Sequence, residues 1–225
     1  MRQARQLIEE ACRRAGREAS CVRILAVSKR QPVEKIVDLS AQGQDDFGEN
    51  YVQELAAKMT ALEGRGLRWH LIGHLQKNKI KLVSGRCALI HSVDSLALAE
   101  ALNRRAGERG LTEKILLQVN VGEEITKEGF SPEKLRQDAA LIFALPHLEI
   151  QGLMTMPPLQ NDAEQNRPFF RRLRELAAEL RARHSTARHP LRELSMGTSH
   201  DFVVAVEEGA TLVRLGTVLF GERAG

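Results

Sequence analysis

The amino-acid sequence predicts an α/β fold, namely a single-domain (β/α)8 barrel. Eight apolar runs of strand length occur along the chain, and segments with helical character separate them. This alternation is typical of a parallel sheet covered by helices, and eight such units in 225 residues suit a closed barrel near its lower size limit. An open parallel sheet is the alternative, but no GxGxxG follows the first strand to favour a dinucleotide-binding fold.

The eight predicted strands are short runs bounded by turn or helix signals. In chain order they are RILAVS, DDFGEN, RWHLIG, ALIHSVD, KILLQVN, LEIQGLMT, ELSMG and TLVRLG.

The segments between these strands carry helix signals. VEKIVDLSAQG has spaced apolar positions and a closing glycine, and SLALAEALNRRAGERG opens with a capping-type serine and ends in arginines and glycine. SPEKLRQDAALIFAL begins with Ser-Pro-Glu, which favours a helix start. About residues 1–18 predict an extra helix ahead of the first strand. No linker-like or low-complexity stretch divides the chain, so we expect one domain over 1–225.

Composition limits the class of protein. Hydrophobic residues make up 43% of the chain, which suffices for a continuous core, and no run approaches the roughly 18 apolar residues of a membrane helix. The amino terminus lacks a signal-peptide pattern, so we expect a cytoplasmic protein without a membrane partner. Three cysteines without CxxC spacing predict neither a disulfide framework nor a metal site. The net charge of +4 comes from interleaved basic and acidic residues, which does not favour nucleic-acid binding.

Residues that could bind a ligand or take part in catalysis stand at the carboxyl ends of the predicted strands. In a (β/α)8 barrel these ends meet at one mouth, where the enzymes of this fold place their sites. One such residue from each strand in turn is Lys29, Asn50, His74, Asp94, Asn120, Thr155, Ser199 and Arg214.

Lys29 directly follows an apolar run that should be buried, although lysine is rarely found inside proteins. A strand end in a barrel delivers such a lysine to a shared cavity, where reduced hydration favours the neutral amine. A neutral amine can attack a carbonyl, so Lys29 is a candidate Schiff-base lysine. A lysine that merely extends to solvent at the barrel rim is the alternative from position alone.

The loops after the last two strands predict a phosphate site. Gly197, Thr198 and Ser199 follow the seventh strand, and Gly216 and Thr217 follow the eighth. Small residues let a phosphate approach backbone N–H groups, and barrels often bind phosphate at these two loops. A lysine together with a phosphate site suggests pyridoxal phosphate, although glycine and threonine are also common in ordinary turns.

Seven blocks of the sequence carry a family resemblance. They are AVSKRQP, FGENYVQE, WHLIGHLQKNK, HSVDS, VNVGEEITKEGF, GLMTMPP and LSMGTSHDFVVAVEEGATLVRLGTVLFGER. With these blocks the chain resembles the pyridoxal phosphate homeostasis protein family, whose members are single-domain relatives of the alanine racemase barrel. The resemblance runs from about Arg23 to Arg223.

The resemblance implies roles for individual residues. Lys29 would form the Schiff base with pyridoxal phosphate, and Arg214 would face the ring or the phosphate of the cofactor. Lys127 would be a second lysine near the site. The residues implied to bind the phosphate are Ser199, Gly216 and Thr217. The residues implied to line the pocket are Asn50, His70, Met196 and Gly197.

Two features depart from the family pattern. Many members have a further lysine where this chain has Gln31, which puts an accessory role of that lysine in doubt. Relatives also more often have other residues where Thr198 and His200 stand. His70 could in principle be a general base, but pocket lining is the expectation, with the adjacent Trp69 on the opposite face of its strand.

The resemblance implies a protein that carries or buffers pyridoxal phosphate and takes part in vitamin B6 and amino-acid homeostasis, without catalytic turnover. Its expected partners are the cofactor and recipient apoenzymes, and we expect a monomer. A weak amino-acid racemase is the alternative, but the barrel racemases take a second base, a tyrosine, from an additional domain. Tyr51 is the single tyrosine here, and the sequence ends at Gly225 after the eighth barrel unit. A cofactor-independent aldolase that uses Lys29 is a third hypothesis.

Overall fold

The eight predicted strands form a closed parallel barrel in the order in which they occur along the chain. The structure is a computed structural model that describes residues 1–124 and 127–221. The strands are β1 (Arg23–Val27), β2 (Asp46–Glu49), β3 (Arg68–Leu71), β4 (Leu89–Val93), β5 (Glu113–Gln118), β6 (Leu148–Met154), β7 (Glu193–Thr198) and β8 (Leu212–Leu215). β8 pairs with β1 and closes the ring, which confirms the predicted (β/α)8 barrel.

Helices connect successive strands on the outside of the barrel. Those in the described ranges are α1 (Arg2–Arg14), α2 (Val33–Ser40), α3 (Val52–Ala61), α4 (Ile80–Val83), α5 (Leu96–Glu108), α6 (Pro132–Phe143), α7 (Arg167–His184), α8 (Phe202–Glu207) and α9 (Thr217–Phe220). Single turns of 3₁₀ helix lie at Ala19–Cys21, Lys77–Lys79 and Ala163–Asn166. Within residues 1–124 and 127–221, no helix combines the length and the apolar composition that a bilayer span requires.

The helix boundaries follow the signals in the sequence. Ser95 and Ser131 cap α5 and α6, because their hydroxyl oxygens accept hydrogen bonds from the N–H groups of Leu98 and Lys134 at 3.3 and 3.1 Å. The helix α1 ends before residue 18. Gly16 adopts a left-handed conformation with φ of 65°, and the N–H of Arg17 bonds back to the carbonyl of Cys12, which is the pairing of a Schellman C-cap.

The strands divide the buried residues between two regions. A large apolar cluster fills the space between strands and helices, and a smaller one consists of Leu89, Leu116, Met154 and Leu212. Leu89 lies two residues before His91 and Leu212 two residues before Arg214, so by alternation each pair shares the inner face of its strand. The barrel interior therefore holds buried polar side chains beside an apolar layer.

Candidate functional site

A cavity of about 500 Å³ lies at the carboxyl ends of the strands. Val27 at the end of β1 and Met156 after β6 contribute to its wall. Six of the nine residues predicted to bind a cofactor border this cavity: Lys29, Asn50, Ser199, Arg214, Gly216 and Thr217. The fold therefore brings together residues from loops that lie as much as 188 positions apart, from 29 to 217.

The backbone around Lys29 is held in an unusual conformation. Arg30, the next residue, has φ of 59°, in the left-handed region that residues other than glycine seldom adopt. Its N–H donates a hydrogen bond of 2.6 Å to Oε1 of Glu54 in α3. The turn that follows β1 is thus fixed by a side chain from another element, and Lys29 lies in that turn at the cavity wall.

A buried ion cluster lies beneath the same turn. Nζ of Lys58 in α3 donates to the carbonyl of Ser28 at 2.6 Å and to Oε1 of both Glu49 and Glu54 at 2.7 Å. The hydroxyl of Ser28 donates to Oε1 of Glu49 at 2.6 Å. The three N–H donors of the Lys58 ammonium therefore all have acceptors, and they join the residue before Lys29 to β2 and α3.

The charge state of Glu49 in this cluster depends on its burial and on its partners. Glu49 is fully buried, and burial raises the pKa of its carboxyl although Lys58 and Ser28 oppose this shift. Its second oxygen, Oε2, has no hydrogen-bond partner among the described residues. The charge of Glu49 consequently depends on Lys58, which the sequence prediction missed. Lys58 lies on the apolar face of α3, where Leu55 and Met59 are also buried. A lysine at such a position is the signal by which the sequence could have pointed to Lys58.

Arg214, on β8 next to β1, is a buried cation, and its guanidinium bonds no carboxylate within residues 1–124 and 127–221. Its Nη1 donates to the hydroxyl of Ser195 at 2.7 Å, and its Nη2 donates to the carbonyl of Thr155 and to Sδ of Met156, both at 2.8 Å. Burial lowers the pKa of Arg214 to about 10, with Asp201 opposing the shift, so the side chain stays charged at neutral pH. A guanidinium can only donate, so Arg214 presents hydrogen-bond donors to the cavity.

The two loops predicted to bind phosphate meet through Ser199. Its hydroxyl accepts hydrogen bonds from the N–H groups of Gly216 and Val218 at 3.1 and 3.5 Å. Asp201 holds the preceding turn, because its Oδ1 accepts from the N–H and the hydroxyl of Thr198 at 2.6 and 3.0 Å. The helix α9 that begins at Thr217 has only four residues, so the hydroxyls and the close backbone define this wall more than a helix dipole does.

Two observations indicate that the cavity offers a ligand both space and a hydrogen-bond acceptor. Oδ1 of Asn50 is buried and has no hydrogen-bond partner within the described part of the chain, so it is ready to accept one from a ligand. A Cβ atom built on Gly216 would be 3.7 Å from the carbonyl oxygen of Val27 and so would occupy space at the cavity wall without displacing backbone. The bare glycine keeps that space open to a ligand.

Three residues predicted to line the pocket lie elsewhere. Met196 is fully buried in the large apolar cluster, because Ser195 takes the inward side of β7 and the next residue faces the helices. Gly197 has φ of 90°, and a Cβ there would be 2.6 Å from Cβ of Ala205, so its role is to let α8 pack closely. His70 lies inside the barrel and borders a different cavity, of about 350 Å³.

The other candidate side chains form local contacts. Nδ1 of His74 lies 3.2 Å from a carboxylate oxygen of Asp94 and 3.0 Å from one of Glu128, and these three donor atoms are all within 4.8 Å of one another. Lys127 forms an ion pair of 2.6 Å with Glu124 and does not border the cavity. Parts of the matched blocks, 125–126 and 222–223, lie outside the described residues.

Comparison with known proteins places the fold in a family. The family model described as alanine racemase, N-terminal domain, matches residues 5–224. The chain is 47% identical over 216 residues to the pyridoxal phosphate homeostasis protein of Aquifex aeolicus, covering 96% of this chain and 93% of the relative. It is 41% identical over 218 residues to the protein of the same name from Pseudomonas aeruginosa, covering 96% and 91%.

A solved structure adds a ligand to these comparisons. PipY of Synechococcus elongatus, in the structure described as having pyridoxal phosphate bound, superposes with a TM-score of 0.83 at 40% identity. The match covers 96% of this chain and all of PipY.

Proposed function

This chain belongs to the pyridoxal phosphate homeostasis protein family, and from that premise we propose that it binds pyridoxal phosphate in the cavity at the barrel mouth. The observation that carries the proposal is the placement of Lys29, Arg214 and the Ser199–Gly216 contact on one cavity. An amine, a donor-only cation and a wall of hydroxyl and backbone groups match the aldehyde, the ring and the phosphate of this cofactor. PipY, which has the same fold, binds it.

Lys29 is the residue that we propose to hold the cofactor covalently. In its neutral form the amine would hold the aldehyde carbon of the cofactor through a C=N bond, with the aldehyde oxygen lost as water. The bond is reversible by hydrolysis, which suits a protein that takes up and releases the cofactor. Lys58 and Glu54 support this role indirectly, since they fix the turn on both sides of Lys29.

The remaining cavity residues bind and orient. Ser199, Gly216 and Thr217 hold the phosphate, and Arg214 donates to the ring nitrogen or to the phosphate. Asn50 accepts a hydrogen bond through Oδ1, because a buried acceptor left without a donor costs about 1–3 kcal/mol. Bound pyridoxal phosphate can supply an electron-withdrawing ring for amino-acid chemistry.

An Arg214 that donates to the ring nitrogen favours a carrier over an enzyme. A pyridine nitrogen withdraws electrons best when it is protonated, and a neighbouring guanidinium opposes that proton by like-charge repulsion. Among the described residues, no tyrosine borders the cavity to serve as the second base that the barrel racemases use. Tyr51 has 49% of its surface exposed and is not among the residues that border the site. A weak racemase is the second candidate, favoured by the match to the alanine racemase domain.

In the cell we propose a cytoplasmic, monomeric, single-domain protein over 1–225 that buffers pyridoxal phosphate and delivers it to apoenzymes. Its effect on vitamin B6 and amino-acid pools would follow from the cofactor concentration that it sets. All three cysteines are unpaired thiols, which is consistent with a reducing compartment.

Borohydride reduction tests the covalent site. Reduction of the loaded protein should fix the cofactor on Lys29, as found by peptide mass spectrometry. Lys29→Ala should fold normally and retain no reduced adduct, while the control Lys127→Ala should retain it. An adduct on Lys127 or on another lysine would contradict the assignment.

Chiral chromatography separates the carrier from the racemase. L-amino acids incubated with the loaded protein should remain L within error. Turnover of about 1 per second or faster, the low end of ordinary enzymes, would overturn the carrier proposal.

A further inference from the structure

A continuous series of hydrogen-bonded polar side chains runs through the barrel interior. It begins at the cofactor cavity and ends at the amino-terminal edges of β2 and β3, beside the cavity of about 350 Å³. Successive heavy-atom distances are 2.7, 2.9, 2.9, 2.9 and 2.8 Å. We refer to this series as the interior chain, and its members in order are Arg214, Ser195, His91, His70, Asp46 and Arg68.

The interior chain is buried except at its far end. Arg214, Ser195, His91, His70 and Asp46 each have at most 4% of their surface exposed. At the far end, Nε and Nη2 of Arg68 bind the two carboxylate oxygens of Asp46 at 2.8 and 2.7 Å, and about half of the Arg68 side chain is exposed. The interior chain thus connects the cofactor cavity to a surface ion pair at the opposite end of the barrel.

Arg214 can only donate and the carboxylate of Asp46 can only accept, and these two groups fix the direction of every bond between them. Arg214 can only donate, so the Ser195 oxygen accepts from it and its hydroxyl hydrogen is left for Nδ1 of His91. Nδ1 of His91 is then an acceptor, which places the His91 proton on Nε2, facing Nδ1 of His70.

The same reasoning continues to the carboxylate. Nδ1 of His70 accepts from His91, so the His70 proton is on Nε2 and is donated to Oδ1 of Asp46, which can only accept. The reverse direction would require both ring nitrogens of His70 to carry protons, and it would leave the hydroxyl of Ser195 without an acceptor in the interior chain. One arrangement alone pairs every group while both histidines stay neutral.

Other forces agree with this arrangement. Burial, with the neighbouring charge of Arg214, lowers the pKa of His91 well below its ordinary value. Burial opposes ionisation of Asp46, but hydrogen bonds from Arg68 and His70 outweigh it and lower the pKa of this carboxyl. An anion therefore stands at the acceptor end of the interior chain and a cation at the donor end.

We propose that Ser195, His91 and His70 are positioning residues that hold the Arg214 guanidinium against the cofactor cavity and couple it to Asp46 at the far end of the barrel. Hydrogen bonds arranged in one direction polarise one another, so the carboxylate of Asp46 strengthens the bond that Ser195 accepts from Arg214. The effect on the cofactor rests on the proposed function, whereas the direction and the coupling are properties of the cofactor-free protein.

The cofactor-free protein provides the first test. In ¹⁵N spectra at pH 7.5, His70 and His91 should each show a protonated Nε2 and an unprotonated Nδ1. His70→Asn keeps an acceptor for His91 at the position of Nδ1 but removes the bond to Asp46, and it should shift the side-chain ¹⁵Nε signal of Arg214.

Asp45→Asn is the matched control for these spectra. Asp45 carries the same charge beside Arg68, at 3.7 Å, but lies outside the interior chain. It should leave the Arg214 signal in place. A doubly protonated His70, an Nδ1–H tautomer at either histidine, or an Arg214 signal that His70→Asn does not move would overturn the proposal.

The second test measures cofactor binding. Ser195→Ala removes the acceptor of Arg214 with the loss of one oxygen atom, and it should speed the release of pyridoxal phosphate about tenfold, as expected for a hydrogen bond to a charged group. Ser195→Thr keeps the hydroxyl and should restore release to near the wild-type rate, and His70→Asn should have a smaller effect in the direction of Ser195→Ala. If both Ser195→Ala and His70→Asn release pyridoxal phosphate at a rate within twofold of wild type, the coupling to the cofactor is overturned. If the wild-type protein binds no pyridoxal phosphate, the proposed function fails and the ¹⁵N spectra alone decide the interior chain.

Discussion

Replacing Lys58 with methionine should destabilise the protein far more than an ordinary surface lysine substitution. Lys58→Met retains the length of the side chain but removes an ammonium that bonds Glu49, Glu54 and the carbonyl of Ser28. The exposed fractions of the side chains are 7% for Lys58 and 0% for Glu49, so the carboxylate of Glu49 would be left buried without a counter-charge. Breaking such a pair costs about 3–5 kcal/mol. For a chain of this size that loss lowers the Tm by roughly 6–20 °C.

The chain contains a matched control for this substitution. Lys134 in α6 bonds Asp138 one turn later at 2.8 Å, much as Lys58 bonds Glu54 one turn earlier, but 59% of the Lys134 side chain is exposed. Lys134→Met should change the free energy of unfolding by about 1 kcal/mol or less, because water screens the exposed ammonium of Lys134, although only 8% of the Asp138 side chain is exposed. Urea denaturation followed by circular dichroism at pH 7.5 measures both variants.

The pH dependence of Lys58→Met identifies the cause of its deficit. Burial already raises the pKa of Glu49, and loss of Lys58 would raise it further. A carboxyl whose pKa is higher in the folded protein than in the unfolded chain destabilises the fold as pH rises, so the deficit should shrink as the pH is lowered from 7.5 towards 5. Lys58→Met with Glu49→Gln should also recover about half of the loss or more. A deficit below about 1 kcal/mol at pH 7.5, or one that pH and Glu49→Gln leave unchanged, would refute the reasoning.

Two further predictions follow from the cavity wall and from the interior chain. Gly216→Val should weaken pyridoxal phosphate binding while leaving the Tm within a few degrees of wild type, because a Cβ at this position meets Val27 only at ordinary contact distances of 3.7 and 3.8 Å. Unchanged affinity in equilibrium dialysis would place the phosphate elsewhere. The free energy of unfolding should fall as the pH is lowered below about 6.5, by up to about 1.4 kcal/mol per pH unit. The reason is that histidine in the unfolded chain binds a proton that the buried His91 excludes. Burial also lowers the pKa of His189, so His91→Gln should reduce this slope without abolishing it. If urea titrations at several pH values show an unreduced slope in His91→Gln, the slope does not come from His91.

The fold and the position of Lys29 were accessible from the sequence because both depend on local patterns. Strand-length apolar runs, the serine caps of α5 and α6 and the position of Lys29 just after β1 are each readable within a few residues. The rule that strand ends meet at one mouth then places Lys29, Asn50 and Arg214 on a common cavity without knowledge of any distance.

The orientation of β7 was harder to predict. Gly197 with φ of 90° coincides with an irregularity in the pairing of β7 with β8 between Ser195 and Thr198. Ser195 therefore faces the interior and Met196 the helices, while Thr198 reaches the cavity wall. A pattern of residue types does not show where such an irregularity interrupts the alternation of a strand.

The sequence by itself determined the order of strands and helices, the lysine at the end of β1 and the small residues after β7 and β8, because chain connectivity and side-chain periodicity act over short distances. Only the tertiary structure decided which buried polar groups meet. Lys58 reaches the turn of Lys29 from α3, and the interior chain joins side chains from five strands. Closure of the barrel makes this possible, because it brings together positions such as His91 and Ser195, which are 104 residues apart. Hydrogen bonds need distances near 2.9 Å and defined donors, and those conditions exist only after the strands have closed into the barrel.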